Sequence, residues 1–305
     1  MRIVAGVEVV KLRAIGDPAL LRAVLGPVEA PGRLGFYASV MGIVPVTVDG
    51  LAVYDLGPAD AENVALAELV MTAMGQVAPE VVRQRLGSLR VAAASRLRGA
   101  EAAARGLRVA SGEVSVTSLR QTHAGFFGLE VVELCHRRFD GTMSEQITRE
   151  VFVSGDAVTV LPYDPVRDRV LLIEQMRTGP LGRGDPLPWQ LEAVAGRIDP
   201  GESPEDCARR EAVEEAGLVL GQLLKVGEYY PSPGAMTEYI YSYVGLCDLP
   251  DGVAGVFGEV EEAEDIRGHL LSFTAFMTAV ECGEIANAPL LLTALWLQRE
   301  RGRLR

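Results

Sequence analysis

Long uncharged segments are missing from the start of this 305-residue chain. Within the first fifty residues the longest one covers residues 34–48, which is too short for a membrane-spanning helix and is interrupted by Gly42 and Pro45. The first thirteen residues also lack the long apolar segment and the small-residue cleavage site of a secretory signal. We therefore expect a cytoplasmic protein without a membrane partner.

Cysteine is scarce as well. The chain has four cysteines, and no two of them form the C-x-x-C pair that is typical of zinc and redox sites. Their wide spacing also argues against a disulfide framework. We expect reduced packing residues at Cys135, Cys207, Cys247 and Cys282.

Basic side chains are outnumbered by acidic ones. The chain has 29 Lys and Arg against 41 Asp and Glu, and residues 1–110 carry 12 basic and 10 acidic side chains, so the acidic excess lies beyond residue 110. Nonspecific nucleic-acid binding depends on basic side chains that neutralise phosphates. The charge therefore predicts no nucleic-acid partner, unless carboxylates collect metal ions that reverse the local sign.

The length and an apolar content of 49% are sufficient for two domains. Residues 96–108, in which Arg alternates with Ala and Gly, are the best candidate for a boundary region. We predict an N-terminal domain over residues 1–111 and a C-terminal domain over residues 112–305, both of mixed α and β structure.

Apolar patterns predict the elements of both domains. In the first domain they indicate strands at residues 33–40, 44–48 and 51–55, followed by a helix at residues 60–74 with Asp60 as its N-cap. In the second domain, β-branched and alternating segments separated by turn signals predict a mixed sheet. Its strands are expected at residues 129–137, 147–152, 157–163 and 170–175.

A helix in the second domain has clear start and stop signals. Ser203 is a good N-cap, Pro204 suits the first helical position, and Gly217 suits the left-handed position after the last turn. The helix should therefore run from Pro204 to Ala216.

Three glutamates share one face of this helix. Glu211, Glu214 and Glu215 are spaced i, i+3 and i+4, so that their like charges repel one another. Carboxylates at this density suit Mg²⁺ or Mn²⁺, with substrate phosphates completing the coordination. The alternative is a solvated helix face that Arg209 and Arg210 neutralise.

The whole segment 196–218 resembles the Nudix box, G-x5-E-x7-R-E-U-x-E-E-x-G-U with U aliphatic, at every fixed position. The matching residues are Gly196, Glu202, Arg210, Glu211, Ala212, Glu214, Glu215, Gly217 and Leu218. The resemblance implies an α/β/α sandwich and metal-dependent hydrolysis of a nucleoside diphosphate that is linked to another group. It also implies that Glu211 and Glu215 bind metal and that Glu202 forms a structural ion pair with Arg210.

Beyond the box the chain is similar to the ADP-ribose pyrophosphatase subgroup of this family. The segments that carry the likeness are Phe126-Phe127, Arg149-Glu150, Glu174-Gln175-Met176-Arg177, residues 188–195, Ser232-Pro233-Gly234 and residues 262–266. This similarity implies hydrolysis of ADP-ribose to AMP and ribose 5-phosphate. The alternatives are a GDP-mannose or other nucleoside-diphosphate-sugar pyrophosphatase, and a non-hydrolytic ADP-ribose sensor.

The same resemblance implies the roles of the catalytic carboxylates. The backbone carbonyl of Ala195 would join Glu211, Glu215 and Glu264 in holding two or three Mg²⁺ ions per site. Glu262 would activate the attacking water, with Glu261 as the alternative base. On composition alone, residues 259–265 would be a solvated acidic loop.

The resemblance also implies a set of substrate contacts. Arg149 and Arg177 would hold phosphates, because a guanidinium pairs bidentately with phosphate oxygens; the alternative is pairing with the adjacent Glu150 and with Glu174. In the relatives, the segment of Phe126 and Phe127 reaches the adenine across a homodimer, whereas an aromatic pair before a strand is otherwise core. Further expected substrate contacts are Glu150, Ser232 and Glu238.

Residues 17–98 resemble γ-glutamylcyclotransferase-like domains, which implies a small α+β barrel. The likeness is carried by residues 19–26 and 33–37, but Ala38 stands where those enzymes have an acid. We therefore expect a non-catalytic accessory domain. Tellurite-resistance Nudix proteins resemble the whole arrangement.

Overall fold

A computed structural model describes residues 3–4, 12–15, 18–25, 31–48, 51–58, 60–100, 113–258 and 264–305. The chain forms two compact units, which we describe separately. The first consists of Met1–Gly155 with Gly234–Thr237, and the second of Asp156–Pro233 with Glu238–Arg305. The predicted domain boundary at residues 111 and 112 lies outside the described residues and stays a prediction.

The first unit begins with a small α+β region. Its elements are β1 (Ile3–Val4), β2 (Leu12–Ile15), α1 (Pro18–Leu25), α2 (Pro31–Met41), β3 (Val46–Val48), β4 (Leu51–Asp55), α3 (Ala61–Thr72), α4 (Pro79–Gln84) and α5 (Leu86–Ala100). The four strands form a sheet in the order β1-β2-β4-β3. The predicted N-cap of α3 is present, since Asp60 Oδ1 accepts a hydrogen bond from the Asn63 amide at 2.7 Å. The barrel that we predicted for this region stays a prediction.

One prediction in this region is wrong. Residues 33–40 were expected as a strand, but they lie within the helix α2. Leu34, Tyr37, Ala38 and Val40 are buried, and the first three recur at helical spacing. Leu34, Tyr37 and Val40 pack into the core with α1, α3 and α5. A short apolar run is compatible with either element until its packing partners are known.

The rest of the first unit is a three-stranded antiparallel sheet. Its strands β5 (Val114–Ala124), β6 (Gly128–His136) and β7 (Ile147–Val153) lie in that order. The sequence predicts β6 and β7 almost to the residue. Contacts place this sheet in the same compact unit as the preceding α+β region.

The second unit is a mixed sheet between helices. Its elements are β8 (Ala157–Asp164), β9 (Arg169–Met176), α6 (Thr178–Arg183), β10 (Trp189–Glu192), β11 (Val194–Arg197), α7 (Pro204–Ala216), β12 (Leu223–Tyr229), β13 (Ile240–Leu246), β14 (Val256–Phe257), β15 (Ile266–Ser272), α8 (Phe273–Glu281) and α9 (Ala288–Leu304). The main order is β12-β13-β8-β9-β15-β14, while β10 pairs with β9 and β11 with β8. Strands β13 and β8 run parallel and the other pairs antiparallel.

Alternating residues of the central strands cover both faces of this sheet. Val158, Val160 and Ile173 pack with α7 on one face, whereas Leu161 and Leu172 pack with α8 and α9 on the other. A strand presents successive side chains to opposite faces, so a strand buried on both sides is apolar throughout. The predicted α/β/α sandwich is confirmed. Among the described residues, no helix is both long enough and apolar enough to cross a bilayer.

Helix α7 has the bounds that its capping residues predict. The Ser203 hydroxyl accepts a hydrogen bond from the Asp206 amide at 3.1 Å, and Pro204 is the first helical residue. Gly217 ends the helix at φ 62°, a conformation that other L-residues adopt at a cost. Glu211, Glu214 and Glu215 therefore lie on a helix whose two ends are fixed by their capping residues.

Candidate active site

The centre of the site is the contact between α7 and β11. Glu215 Oε2 accepts a hydrogen bond from the backbone amide of Ala195 at 2.9 Å, and Glu215 is only 2% exposed. A buried carboxylate costs free energy unless it is hydrogen-bonded or paired. The amide of Ala195, whose carbonyl is a predicted metal ligand, thus partly compensates the burial of another predicted ligand.

Gly196 leaves the space that Glu211 occupies. A Cβ atom on Gly196 would lie 1.8 Å from Glu211 Oε1 and 1.9 Å from its Cδ. Any side chain at position 196 would therefore displace this carboxylate from the strand. The first glycine of the Nudix box acts here by allowing the close approach of a functional side chain.

Arg210 organises the outer side of the same helix. It donates to both carboxylate oxygens of Glu202 at 2.9 and 3.0 Å, to Glu211 Oε1 at 2.7 Å and to Glu214 Oε2 at 3.0 Å. The ion pair with Glu202 joins the loop before α7 to the helix, as the resemblance implies. Arg209 instead donates to the carbonyls of Leu220 and Gly221, so Arg210 is the arginine that compensates the glutamates.

Partly buried Glu211 and buried Glu215 have raised pKa values, so they hold their protons more strongly than ordinary carboxyl groups. Burial raises the pKa of Glu215 to about 8, and repulsion by Glu211 and Glu264 adds to this effect, while the Ala195 amide opposes it. Burial also raises the pKa of Glu211 to about 7, against the attraction of Arg210. Ionisation of both groups therefore places two like charges close together, and their repulsion costs free energy.

Glu264 is half-buried and close enough to repel both glutamates. Gly258, at φ 113°, passes against it, since a Cβ there would lie 2.8 Å from Glu264 Cβ. The expected base Glu262 and its alternative Glu261 lie in residues 259–263, outside the described residues. In the part of the chain that the structure describes, no group of three or more His, Cys, Asp or Glu side chains is arranged to hold a metal ion.

Arg177 is fixed by Glu192, a carboxylate for which the sequence predicts no role. Its Nε donates to Glu192 Oε2 at 2.8 Å, and Glu192 Oε1 accepts from Asn287 Nδ2 at 2.8 Å. Glu174, the alternative partner considered from sequence, instead bonds to His269 Nε2 at 2.7 Å. The only sequence signal for Glu192 was its position within the family-like segment 188–195.

Glu238 lies near Arg177. It is half-buried, which raises its pKa, and Arg177 and Arg197 oppose this shift. Ser232 is exposed. The structure thus places Glu238 close enough to interact with Arg177, the residue predicted to bind phosphate. It shows no such interaction for the exposed Ser232.

The remaining expected substrate residues belong to the first unit. Phe126 and Phe127 are 66% and 37% exposed, so the interpretation as core residues is wrong. Their rings are 4.8 Å apart, and Phe127 also packs on Phe152 at 4.7 Å. Arg149 is exposed and donates to the Thr148 carbonyl at 2.8 Å.

Comparison with known proteins agrees with this geometry. Residues 153–289 match the NUDIX domain family. The ADP-ribose pyrophosphatase of Escherichia coli (strain K12) is 42% identical over 186 residues, which cover 61% of this chain and 88% of that protein. The Haemophilus influenzae ADP-ribose pyrophosphatase is 34% identical over 188 residues, 61% of this chain and 86% of that protein.

Two further similarities are more distant. The GDP-mannose pyrophosphatase of Escherichia coli O9:H4 (strain HS) is 32% identical over 173 residues, 57% of this chain and 88% of that protein. A solved structure described as an ADP compounds hydrolase superposes with a TM-score of 0.48 at 21% identity, covering 65% of this chain and 98% of that chain.

Proposed function

The chain belongs to the NUDIX family of hydrolases, and on this premise we propose that it hydrolyses the pyrophosphate bond of ADP-ribose to AMP and ribose 5-phosphate. The observation that carries the proposal is the pair of carboxylates, partly buried Glu211 and buried Glu215, held against the backbone of β11 at Gly196 and Ala195. Similarity to ADP-ribose pyrophosphatases over 88% of their length supports the choice of substrate.

We assign a divalent cation, Mg²⁺ or Mn²⁺, to this site. The donors would be the carboxylates of Glu211, Glu215 and Glu264 and the carbonyl of Ala195, which are the hard oxygen ligands that these ions prefer. Mg²⁺ usually keeps several waters and takes one or two carboxylates together with substrate phosphates, so it needs no preformed cage of three side chains. The mutual repulsion of the three glutamates also fits a bound cation. Two or three ions per site remain our proposal.

A bound cation would neutralise pyrophosphate oxygens and lower the pKa of a coordinated water. The side chains of this chain then have distinct tasks. Arg177, oriented by Glu192, binds a phosphate oxygen. Arg149 binds phosphate as well, and Glu150, its neighbour on β7, contacts the substrate. Glu262, or Glu261 beside it, accepts the proton of the attacking water. Glu238 and Ser232 complete the contacts to the substrate.

We propose that Phe126 and Phe127 bind the adenine base of the substrate. Their exposed rings offer a stacking surface, and stacking is worth about 1–3 kcal/mol per base in other systems. We propose that this surface acts within a homodimer, because an exposed cluster of three aromatic rings is typical of an interaction site. Light scattering on the full chain tests the dimer. The free state of all four cysteines supports a reducing compartment such as the cytoplasm.

A GDP-mannose pyrophosphatase is the second candidate, because relatives with that name are 32–34% identical to this chain over 150–173 aligned residues. A non-hydrolytic sensor is less favoured, since it would not need Glu211, Glu215, Glu262 and Glu264 all to be present in the sequence.

The test is a panel of nucleoside-diphosphate sugars assayed with the purified full chain and Mg²⁺. We expect the highest kcat/KM for ADP-ribose, with AMP and ribose 5-phosphate as products. A higher kcat/KM for GDP-mannose would replace the substrate assignment, and no hydrolysis of any compound would support the sensor.

A further inference from the structure

The turn between β5 and β6 carries the exposed aromatic pair. The amide of Gly125 donates to the carbonyl of Phe127 at 3.0 Å, which closes the turn around Phe126. The side chain of Phe126 is two-thirds exposed and rests edge-on against Phe127. The position of both rings therefore depends on the conformation of a short surface turn.

Arg85 binds this turn from the helical region of the same unit. It follows the last residue of α4, and its Nε donates to the carbonyl of Gly125 at 2.7 Å. Its Nη1 donates to Gln121 Oε1 on β5 at 3.2 Å. One half-buried guanidinium thus binds the start of the turn and the strand that leads into it.

The surrounding residues leave room for this interaction. A Cβ on Gly128, the first residue of β6, would lie 3.1 Å from Gln121 Nε2 and 3.8 Å from Arg85 Nη2. Glycine at position 128 therefore permits the close approach of the Gln121 amide to the strand, whereas Arg85 Nη2 lies at an ordinary van der Waals distance.

Other contacts hold α5 on the same sheet independently of Arg85. Arg96 Nη2 forms an ion pair with the buried Glu130 of β6 at 3.2 Å. Val91 fills the space beside Gly155, where a Cβ would lie 2.2 Å from Val91 Cγ1. Loss of Arg85 should therefore loosen the turn without detaching the helices from the sheet.

We propose that Arg85 is a positioning residue for substrate binding, which holds the Gly125–Phe127 turn so that Phe126 and Phe127 are preorganised to receive the base. The inference rests on the proposed function, because it takes the aromatic pair as the base-binding surface. It gives residues 79–100 a role in substrate affinity that an accessory domain would not have. If the substrate had to order the turn on binding, the free energy of that ordering would lower its affinity.

The test compares Arg85→Ala with Arg83→Ala in the full chain. Arg83 lies on α4, is exposed and has its guanidinium beside Gly42 instead of the aromatic turn. We expect Arg85→Ala to raise the KM for ADP-ribose about tenfold, equivalent to about 1.4 kcal/mol. Its kcat should stay within about twofold of the unsubstituted chain, because binding that is equal in ground and transition states affects KM alone. Arg83→Ala should change neither constant.

Product inhibition separates positioning from a general structural effect. The inhibition constant of AMP, which carries the base, should rise with the KM in Arg85→Ala. The constant for ribose 5-phosphate, which carries no base, should not change. Arg85→Lys, which keeps the charge but loses the planar fork, should give an intermediate KM.

A double-mutant cycle with Phe127→Ala provides the decisive comparison. If both residues act on the same contact, the double variant should have nearly the KM of Phe127→Ala alone. Additive effects of the two substitutions, or equal weakening of both products, would overturn the inference. An unchanged KM in Arg85→Ala beside a raised KM in Phe127→Ala would also overturn it while leaving the proposed function intact. Failure of the unsubstituted chain to hydrolyse ADP-ribose would instead contradict the proposed function.

Discussion

The guanidinium of Arg177 is held by the carboxylate of Glu192, with Nε and Nη2 lying 2.8 and 2.7 Å from the same oxygen. The second oxygen of Glu192 accepts from Asn287, whose own Oδ1 caps α9 at the Leu290 amide. Arg177, the residue that we propose to bind a phosphate, directly follows β9 and is thereby tied to the start of α9. Arg177 has a defined orientation before any substrate binds, as a bidentate phosphate contact requires.

Replacement of Glu192 should release this orientation. We expect Glu192→Gln to lower kcat/KM for ADP-ribose about 10- to 100-fold, since a hydrogen bond to a charged group contributes about 1.5–3 kcal/mol. The matched control is Glu174→Gln, whose carboxylate bonds to His269 instead. Equal losses in both variants, measured by steady-state kinetics, would argue against a specific role for Glu192.

Glu215→Gln should abolish most activity without unfolding the protein. Glutamine has nearly the same shape and helix propensity, and its Oε1 can still accept from the Ala195 amide. The loss of one anionic ligand should lower kcat by at least about 100-fold, because metal-bound water and phosphate neutralisation each supply several kcal/mol. Glu214→Gln, at a position that contacts Arg210, should lose less than about tenfold. Retained activity of Glu215→Gln with unchanged metal dependence would refute the ligand assignment.

Gly196→Ala tests whether the position of Glu211 matters. The new methyl group would overlap Glu211 Oε1, so the carboxylate must move. We expect kcat to fall about 100-fold, as observed in general when a reacting group is displaced by about 1 Å. Gly227→Ala on β12 is the control, because its Cβ meets no atom within 4 Å. The assignment would be wrong if both variants kept the kcat of the unsubstituted chain.

The raised pKa values of Glu211 and Glu215 predict a pH-dependent stability. A carboxyl group whose pKa is higher in the folded than in the unfolded state stabilises the fold below its ordinary pKa and loses this contribution as pH rises through the folded value. Since the ordinary pKa is 4.5 and the folded values are about 7 and about 8, the Tm of the chelator-treated protein should fall from about pH 4.5 to about pH 8 and level off above that. Added Mg²⁺ should raise the Tm more at pH 8.5 than at pH 6, because protons compete with the cation for the carboxylates.

The control for this measurement is the double variant Glu211→Gln/Glu215→Gln. Other groups also titrate in this range, but only these two are removed in the variant. Calorimetry should show a flatter dependence of Tm on pH and no stabilisation by Mg²⁺. The same slope in both proteins would show that the two glutamates do not cause the effect.

Local signals in the sequence were sufficient for the bounds of helix α7 and for the face that its glutamates share. A cap at Ser203, proline at the first position and glycine after the last turn each act within a few residues, so the bounds of the helix follow without knowledge of the fold. The spacing of Glu211 and Glu215 then determines that they share one face. The resemblance to the Nudix box, and not local spacing, implied the ion pair of Glu202 and Arg210, which joins a loop to its adjacent helix.

Tertiary structure decided the features that depend on distant residues. The helix α2 was predicted as a strand, because a short apolar run has no unique period until the helices around it define which face is buried. Glu192 meets Asn287, 95 positions away, because the pairing of β10 with β9 and the start of α9 bring them together. Arg85 likewise reaches Gly125 across 40 positions. Such contacts are set by strand register and helix packing, which bring together side chains whose separation along the chain carries no signal of their proximity.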